Sequence, residues 1–378
     1  MLKIKRILKR FLISLLPIRK IIIMESVPDF SDNTKAVYDE FIRRGVNKKY
    51  KIIWMVGQAF NNNVSEKNVK FLNIQSKRNR LKERYYNLVA KCLISCNRFL
   101  VSKRKQQFSM FLAHGTTLKS IRNYYNIPAT INACLAAGNG VKELDAYEFN
   151  YNIEKIVALG FPRNDVLCKE ENKSRILFGG VYDKVVAWYP TFRQHKSGLK
   201  TASSKSLPII DNIKSAMRLN DVAKQKNILL VLKPHFAQDV SYIKDLNLSN
   251  LKLIDDDFFV RNEISSYEFI SACAALISDY SSIYFDYILC DKPVAVIWED
   301  IDEYKKNPGL IDNYEYYLKG AEKIYTLSDF CQFLERVSNG EDILSAERKE
   351  IRDKTNYSTD GKNSERVVDY ILSQINYR

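Results

Sequence analysis

Four short polar clusters, each directly after an apolar run, contain residue types that bind and cleave phosphate esters. They read HGTTLK at 114–119, PTFR at 190–193, KPH at 233–235 and SDYSS at 278–282. Cations offset charge on phosphate oxygens, and Ser or Thr hydroxyls donate hydrogen bonds to them. The set therefore predicts a site for a pyrophosphate with a leaving nucleotide. Its candidate residues are His114, Gly115, Thr116, Thr117, Lys119, Thr191, Arg193, Lys233, His235, Asp279, Ser281 and Ser282.

The segment around SDYSS is the most informative of the four. It predicts an apolar strand at Ala274–Ile277, a polar turn at Ser278–Ser282, a helix at Ile283–Leu289 and a second strand at Val294–Trp298. Free backbone N–H groups at the start of a helix form an anion site, and the turn places hydroxyls beside them. The alternative is an ordinary capped helix, because Ser and Asp are common N-caps.

The chain has only three histidines, and two of them end apolar runs within these clusters. A histidine can accept a proton near neutral pH, although a single one at a strand end is usually structural. His114 and His235 are therefore candidates for chemistry. His195 lies in the run RQHKSG and is predicted to be a loop residue, either solvated or in contact with substrate.

Strands alternate with helices along the whole chain, which predicts two parallel-sheet domains facing a cleft. Polar clusters that follow such strands lie at their carboxyl ends, where open α/β sheets bind ligands. The predicted domains are residues 20–168 and 175–360, preceded by a basic helix at 1–19 and followed by a C-terminal helix at 361–378. The predicted strands are Ile21–Met24, Ile52–Val56, Val69–Ile74, Leu93–Ser95, Ser109–Ala113, Asn132–Ala137, Ile156–Leu159, Val185–Tyr189, Ile228–Leu232, Leu251–Ile254, Ala274–Ile277 and Val294–Trp298. The predicted helices include Thr34–Arg44, Arg80–Val89, Leu207–Gln225, Leu327–Val337 and Ser364–Asn376.

Composition sets wider limits on function. The 378 residues carry a formal net charge of +15, which indicates an anionic partner such as nucleic acid, a membrane surface or a phosphate-rich substrate. Seven scattered cysteines favour reduced thiols in a cytoplasmic protein, and three distant histidines disfavour a zinc site. The acidic run Asp255–Asp257 is predicted to be a solvated loop, with a metal site as the alternative. No cofactor is predicted.

The first 19 residues interleave basic and apolar side chains. Their longest apolar run, Phe11–Ile18, is too short to span a bilayer, which needs about 20 apolar residues. A basic amphipathic helix lying on an anionic leaflet fits the pattern, so we expect a peripheral position on the cytoplasmic face of the plasma membrane. The alternative is a solvated helix that packs its apolar side on the first domain.

Six motifs in a fixed order resemble the CDP-glycerol glycerophosphotransferase family of teichoic-acid and capsule synthesis. They are HGTTLK, GFPRNDVL at 160–167, YPTFR, LKPH, SDYSS with the following FD and DKPV, and DGKNSERVVDYIL at 360–372. The resemblance implies a GT-B-type fold, with a CDP-polyol donor held by the C-terminal domain and a glycan acceptor by the N-terminal one. It implies transfer of a polyol phosphate, most simply glycerol phosphate, to a lipid-linked or polymeric hydroxyl with release of CMP.

The resemblance also implies roles for individual residues. His114 corresponds to the general base, His235 and Arg193 to donor-phosphate contacts, and Ser281 and Ser282 to the hydroxyls of the site. Arg163 and Asn164 belong to the family's junction motif and are either structural or cleft-lining. Thr117 stands where the family usually has Pro, and Pro308-Gly309 where it has Arg-Gly, which leaves acceptor and polyol specificity open.

Three other functions compete with this interpretation. A nucleotide-sugar glycosyltransferase of the same architecture is the main alternative, although SDYSS stands where such an enzyme would carry a Glu-rich ribose-binding motif. A nucleic-acid-binding protein is disfavoured because the basic residues are dispersed and no RNA-binding signature is present. A non-catalytic scaffold of polysaccharide assembly is disfavoured by the two strand-end histidines. No P-loop, well-placed GxGxxG or GxSxG elbow occurs.

Overall fold

The computed structural model describes residues 15–57, 64–169, 177–191, 207–235, 238 and 240–377. The chain divides into two compact units. The first unit comprises the described parts of residues 1–114, 124–165 and 362–378, and the second comprises those of 115–123 and 166–361. The predicted basic helix falls largely on residues 1–14, which lie outside the described residues.

Each unit is built on one parallel β-sheet. The first sheet has seven strands in the order β3-β2-β1-β4-β5-β6-β7, and the second has six in the order β10-β9-β8-β11-β12-β13. The strands are β1 Arg19–Glu25, β2 Lys51–Val56, β3 Val69–Asn73, β4 Ala90–Ser95, β5 Phe108–Phe111, β6 Ala133–Ala136, β7 Ile156–Ala158, β8 Lys184–Trp188, β9 Ile228–Leu232, β10 Leu251–Leu253, β11 Ala275–Ser278, β12 Val294–Ile297 and β13 Glu322–Ile324. All twelve predicted strands are confirmed within a few residues, because continuous apolar runs suit strands that helices cover on both faces.

Helices connect the strands. They are α1 Asp32–Arg43, α2 Val46–Lys49, α3 Arg80–Val89, α4 Lys142–Glu148, α5 Ile213–Gln225, α6 Ser241–Lys244, α7 Asp256–Arg261, α8 Ser266–Ala272, α9 Ile283–Tyr287, α10 Ile301–Lys306, α11 Tyr314–Tyr317, α12 Leu327–Asn339, α13 Ser345–Thr355 and α14 Asn363–Tyr377. The core of the second unit packs α5 and α12 on the central strands, with fully buried side chains such as Trp188, Leu219 and Phe330. In the first unit, α14 packs against α1 and β5.

Two predicted elements are wrong. The helix expected from Leu207 begins only at Ile213, because Asn212 caps it through a reciprocal capping box with Ser215. Leu207 and Ile210 are instead buried in a non-helical segment. The acidic run is not a loop, because Asp255 caps α7 by accepting the Phe258 N–H, and Asp256 and Asp257 form the first turn of that helix.

The observed units differ from the predicted continuous domains in two places. The C-terminal helix, predicted as a separate segment at 361–378, belongs to the first unit, and residues 115–123 belong to the second. Among the described helices, none combines the length and the apolar character needed to cross a bilayer.

Candidate functional site

Three of the four predicted clusters lie on neighbouring strands of the second sheet. The KPH cluster follows β9, PTFR follows β8 and SDYSS spans the end of β11, and these strands are adjacent in the order β9-β8-β11. The pair β8/β11 is the topological switch point of the sheet, where strand order reverses direction. Open α/β sheets bind ligands in the crevice at such a point, so the fold brings three distant motifs to the expected edge.

The start of the PTFR loop is tied to SDYSS by Asp279. Its buried carboxylate accepts the Thr191 N–H at 3.1 and 2.9 Å and the Thr191 hydroxyl at 3.1 Å. Ser278 donates to the Tyr189 carbonyl at 2.8 Å. In this structure, Asp279 and Thr191 therefore hold two loops together across the switch point.

Ser281 and Ser282 lie half-buried at the end of the SDYSS turn. The Ile283 N–H donates to Ser281 Oγ at 3.4 Å, and Ser282 caps α9 without a side-chain hydrogen bond. The helix is confirmed but has only five residues before it becomes a 3₁₀ turn at Ile288–Cys290. So short a helix has a small macrodipole, and the two hydroxyls are the stronger donors for an anion.

The KPH cluster places one cation and one imidazole after β9. The Lys233 ammonium lies 2.9 Å from the Asp256 carboxylate and 5.8 Å from the centre of the Tyr189 ring. His235 is half-buried, and its carbonyl accepts the Gln238 N–H at 2.8 Å. The predicted residues Arg193 and His195 lie outside the described residues.

The part of HGTTLK that belongs to the second unit pairs with residues 309–311. Lys119 forms an antiparallel bridge with Leu310, and the Ile311 N–H donates to the Leu118 carbonyl at 3.1 Å. The Thr117 hydroxyl bonds the Lys119 backbone and closes the turn. Gly115 and Thr116 precede this turn. Gly115 has a positive φ of 124°. The Thr116 hydroxyl is fully buried and has no hydrogen-bond partner among the described residues.

His114 follows β5 in the first unit, and its side chain is exposed. Its Nδ1 lies 3.2 Å from the Cys96 carbonyl oxygen. A carbonyl oxygen can only accept a hydrogen bond, so in the neutral tautomer this contact places the proton on Nδ1. The Nε2 lone pair is then available to accept a proton.

Arg163 holds the loop that carries His114. Its guanidinium donates to the His114 carbonyl at 2.9 Å and to the Asp32 carboxylate at 2.7 Å. Buried Asn33 supports the same loop, because its amide donates to the Ala113 carbonyl at 3.0 Å and accepts the Arg163 N–H at 3.2 Å. Asn33 escaped the sequence analysis, because an amide at the start of a helix is ordinarily a cap.

The neighbouring residues of the GFPRND motif form hydrogen bonds with the start of the C-terminal helix α14. The Asp165 carboxylate accepts the N–H groups of Asn363 and Ser364 at 2.7 and 2.9 Å, and the Asn363 amide donates to the Phe161 carbonyl at 3.1 Å. Asn164, which precedes Asp165 in the chain, is fully buried. The role of Asp165 was also missed, because its partners are about 200 positions away in the chain.

In the described part of the chain, no group of three or more His, Cys, Asp or Glu side chains is arranged to hold a metal ion. The described site residues are instead hydroxyls, an imidazole and a cation at the edge of one sheet, and a second imidazole at the edge of the other. Such groups can bind phosphate oxygens, stabilise developing charge and accept a proton.

The two sheets define an α/β protein with two Rossmann-like units. Residues 8–373 match the family described as CDP-Glycerol:Poly(glycerophosphate) glycerophosphotransferase. The chain belongs to this family and is an enzyme of the glycerophosphotransferase class, which confirms the resemblance drawn from the six motifs.

Curated relatives agree with this assignment, and a solved structure shares the fold. The chain is 25% identical to a teichoic acid poly(glycerol phosphate) polymerase of Bacillus spizizenii, over 78% of each chain. It is 23% identical to a teichoic acid glycerol-phosphate primase of Bacillus subtilis, over 92% of this chain and 90% of the relative. A structure of the wall teichoic acid polymerase TagF shares the fold, with a TM-score of 0.74 at 20% identity over 97% of this chain and 93% of that one.

Proposed function

We propose that the protein transfers glycerol phosphate from CDP-glycerol to a hydroxyl of a lipid-linked or polymeric cell-surface glycan and releases CMP. The observation that carries this proposal is the convergence of three motif loops on β9, β8 and β11 in a chain of this family. The family description and the two relatives given above name glycerol phosphate, which supports that polyol over the ribitol phosphate for which other relatives are named.

The second unit is the proposed donor domain. Ser281 and Ser282 offer hydroxyl donors to the diphosphate, and Lys233 and His235 offer positive charge or N–H donors from the neighbouring strand. Arg193, which lies outside the described residues and follows β8 in the chain, is proposed to complete this set. Fixed donors of this kind stabilise the charge that develops on the departing CMP without reorganisation during the reaction.

The first unit is the proposed acceptor domain, with His114 as general base. The acceptor oxygen attacks the phosphorus that bears the glycerol, its proton passes to His114 Nε2, and the bond from that phosphorus to the CMP oxygen breaks. No covalent enzyme intermediate forms. The Nδ1 contact with the Cys96 carbonyl supports this role because it orients the ring and stabilises the imidazolium that results.

A donor panel tests the proposed function. The purified protein is incubated with a lipid-linked disaccharide acceptor and with CDP-glycerol, CDP-ribitol or a UDP-sugar, and the products are weighed by mass spectrometry. The proposal predicts growth of the acceptor by glycerol phosphate units with CDP-glycerol. Products formed only with CDP-ribitol would contradict the assignment of glycerol phosphate as the transferred group. Products formed only with a UDP-sugar would establish the glycosyltransferase alternative.

A further inference from the structure

A cavity opens at the carboxyl edge of the first sheet, in the first unit alone. It has a volume of about 370 Å³ and is lined by residues at or just after the ends of β1, β2, β3 and β4, including Glu25, Asp29, Gly57, Gln75 and Arg98. The first sheet reverses its strand order between β1 and β4. Glu25 ends β1 and Arg98 follows β4, so the cavity lies at the topological switch point, where such sheets bind ligands.

Glu25 has a buried carboxyl group whose two oxygens differ in their hydrogen bonding. Only 1% of the residue is exposed; Oε2 accepts the Arg98 N–H at 3.1 Å, whereas Oε1 has no hydrogen-bond partner among the described residues. Ser95, its register partner on β4, has a buried Oγ that also lacks a described partner, but Ser95 does not line the cavity. Buried polar atoms are almost always paired, so the unpaired oxygen of Glu25, which does line the cavity, indicates a missing hydrogen-bonding ligand.

The charges around the cavity indicate the chemistry of that ligand. Glu25 and Asp29 supply two carboxyl groups, and Asp29 accepts the Gly57 N–H at 2.9 Å with each oxygen. Arg98 and Gln75 have exposed side chains that can donate hydrogen bonds. Two carboxylates disfavour a phosphate, whereas mixed acceptors and donors match the hydroxyls of a neutral sugar or polyol.

We propose that this cavity binds a neutral, hydroxyl-rich unit of the acceptor, with Glu25 as its main hydrogen-bonding partner. Cys96 links the cavity to the proposed base, because its thiol contacts the Glu25 carbonyl at 3.9 Å and its own carbonyl contacts His114 Nδ1. The assignment rests on the proposed function, for which it supplies the acceptor subsite. Burial also raises the pKa of the Glu25 carboxyl.

Three variants test the cavity, and they differ in how strongly each could disturb folding. Glu25→Gln keeps the shape and can still accept the Arg98 N–H, but it replaces the unpaired acceptor by an N–H₂ donor. Arg98→Ala and Gln75→Ala change only exposed side chains. Arg78→Ala is the matched control, because Arg78 is exposed in the same unit but does not line the cavity.

Binding is measured first, without donor or turnover. Saturation-transfer NMR on the full chain uses glycerol, N,N′-diacetylchitobiose and glycerol 3-phosphate as probes. We expect glycerol or the disaccharide to bind the wild type and Arg78→Ala, and to bind Glu25→Gln and Arg98→Ala about ten-fold more weakly or worse. Binding of glycerol 3-phosphate alone, undiminished in Glu25→Gln, would overturn the proposal, as would equal binding of the neutral probes to all variants.

Kinetics then separate this proposal from the proposed function. In the transfer assay, we expect the KM for acceptor to rise about ten-fold in Glu25→Gln and Arg98→Ala while the KM for CDP-glycerol stays unchanged. A rise confined to the KM for CDP-glycerol would overturn the acceptor subsite. If the wild type transferred nothing from CDP-glycerol, the proposed function would fail, whereas the NMR result would still decide whether the cavity binds hydroxyl-rich molecules.

Discussion

At the scale of residues, the strongest structural feature is the support around His114. Arg163 fixes the His114 carbonyl, Asn33 fixes the preceding residue, and the Cys96 carbonyl orients the ring. An exposed imidazole would otherwise rotate freely, and a general base is useful only when it is held within hydrogen-bond reach of the proton that it removes. The supporting residues are therefore positioning residues for a proposed catalytic one.

Replacing His114 should separate chemistry from donor binding. We expect His114→Gln to lower the turnover of CDP-glycerol about 10²–10⁴-fold, the usual contribution of a general base. CDP-glycerol affinity, measured by calorimetry, should stay within about two-fold of the wild type, because His114 lies outside the proposed donor unit. His235→Ala is the companion variant and should weaken donor binding. Normal turnover in His114→Gln would remove the base assignment.

Asp145 should make the stability of the first unit depend on pH. Its carboxyl is 1% exposed, and neither oxygen has a partner among the described residues. Burial, with a smaller effect of Glu148, raises the pKa of Asp145 well above its usual range. The folded state therefore holds this proton more tightly, and stability present below the unfolded pKa is lost as pH rises towards the folded pKa.

Asp145→Asn should remove this dependence. Relative to the wild type, the variant should gain about 1.4 kcal/mol of unfolding free energy for each pH unit between the unfolded and folded pKa values. Hydrogen exchange of β6 peptides at pH 5 and pH 8 would measure the difference, with Glu143→Gln on the exposed side of the same helix as control. An equal effect of Asp145→Asn at both pH values would contradict the account.

At this scale the sequence predicted where most of the described candidate residues lie relative to the strands, but not all of their partners. His114, Lys233, His235 and the SDYSS serines follow strands as expected, because a polar residue after an apolar run has one main place to lie in a parallel sheet. The link from Asp279 to Thr191 joins residues 88 positions apart. Which carboxylate faces a ligand and which ties two loops depends on packing, and local patterns do not contain that information.

At the scale of elements, the C-terminal helix α14 is attached to the first unit by the GFPRND motif. Asp165 caps the helix, and Asn363 lies so close to Gly160 that a Cβ at Gly160 would lie 2.1 Å from Asn363 Oδ1. Gly160 also has a φ of +82°, a conformation that disfavours any side chain. This position needs glycine for both reasons.

Gly160→Ala should therefore loosen α14. Hydrogen-exchange mass spectrometry should show faster exchange across residues 363–377, with a loss of about 3 kcal/mol or more from strain and overlap together. Gly180→Ala is the matched control, because Gly180 has a φ of +68° but open space around its Cα, so it should cost only about 1–2 kcal/mol. Equal protection of α14 in both variants would show that the close contact is unimportant.

Helices were harder to predict than strands, for identifiable reasons. Helix α13 was missed because SAERKEIRDKT has almost no apolar stripe; it buries Arg348 through ion pairs with Asp342 and Asp291 instead. Strand β13 was missed because its three residues, Glu322–Ile324, are mostly polar. The early start predicted for α5 followed an apolar run that the structure buries without helical hydrogen bonds.

At the scale of the whole molecule, the chain leaves the first unit and returns to it. Residues 115–123 and 166–361 form the second unit, and α14 then completes the first. A reading along the chain predicts continuous domains, because nothing local in residues 363–377 indicates which sheet the helix covers. Only the three-dimensional contacts of α14 with α1 and β5 show that this helix covers the first sheet.

The basic N-terminus remains a prediction, and the structure indicates where to truncate it. Leu16 packs against a core cluster of the first unit, and its carbonyl accepts a hydrogen bond from Arg104, so a deletion should end at residue 14. Deleting residues 2–14 removes Lys3, Lys5, Arg6, Lys9 and Arg10. We expect weaker flotation with anionic liposomes, since each basic residue near such a surface contributes about 1 kcal/mol. Equal flotation of both proteins would exclude this segment as the anchor.

The proposed function requires the donor diphosphate to bind at the carboxyl edge of β9, β8 and β11. Hydrogen-exchange mass spectrometry on the full chain, with and without CDP-glycerol and in the absence of acceptor, can locate the bound donor. We expect slower exchange in the segments that follow these three strands, around Thr191, Lys233–His235 and Asp279–Ser282, and no change in β2 or β3. Protection confined to the first unit, or absent from all three segments although CDP-glycerol binds, would contradict it.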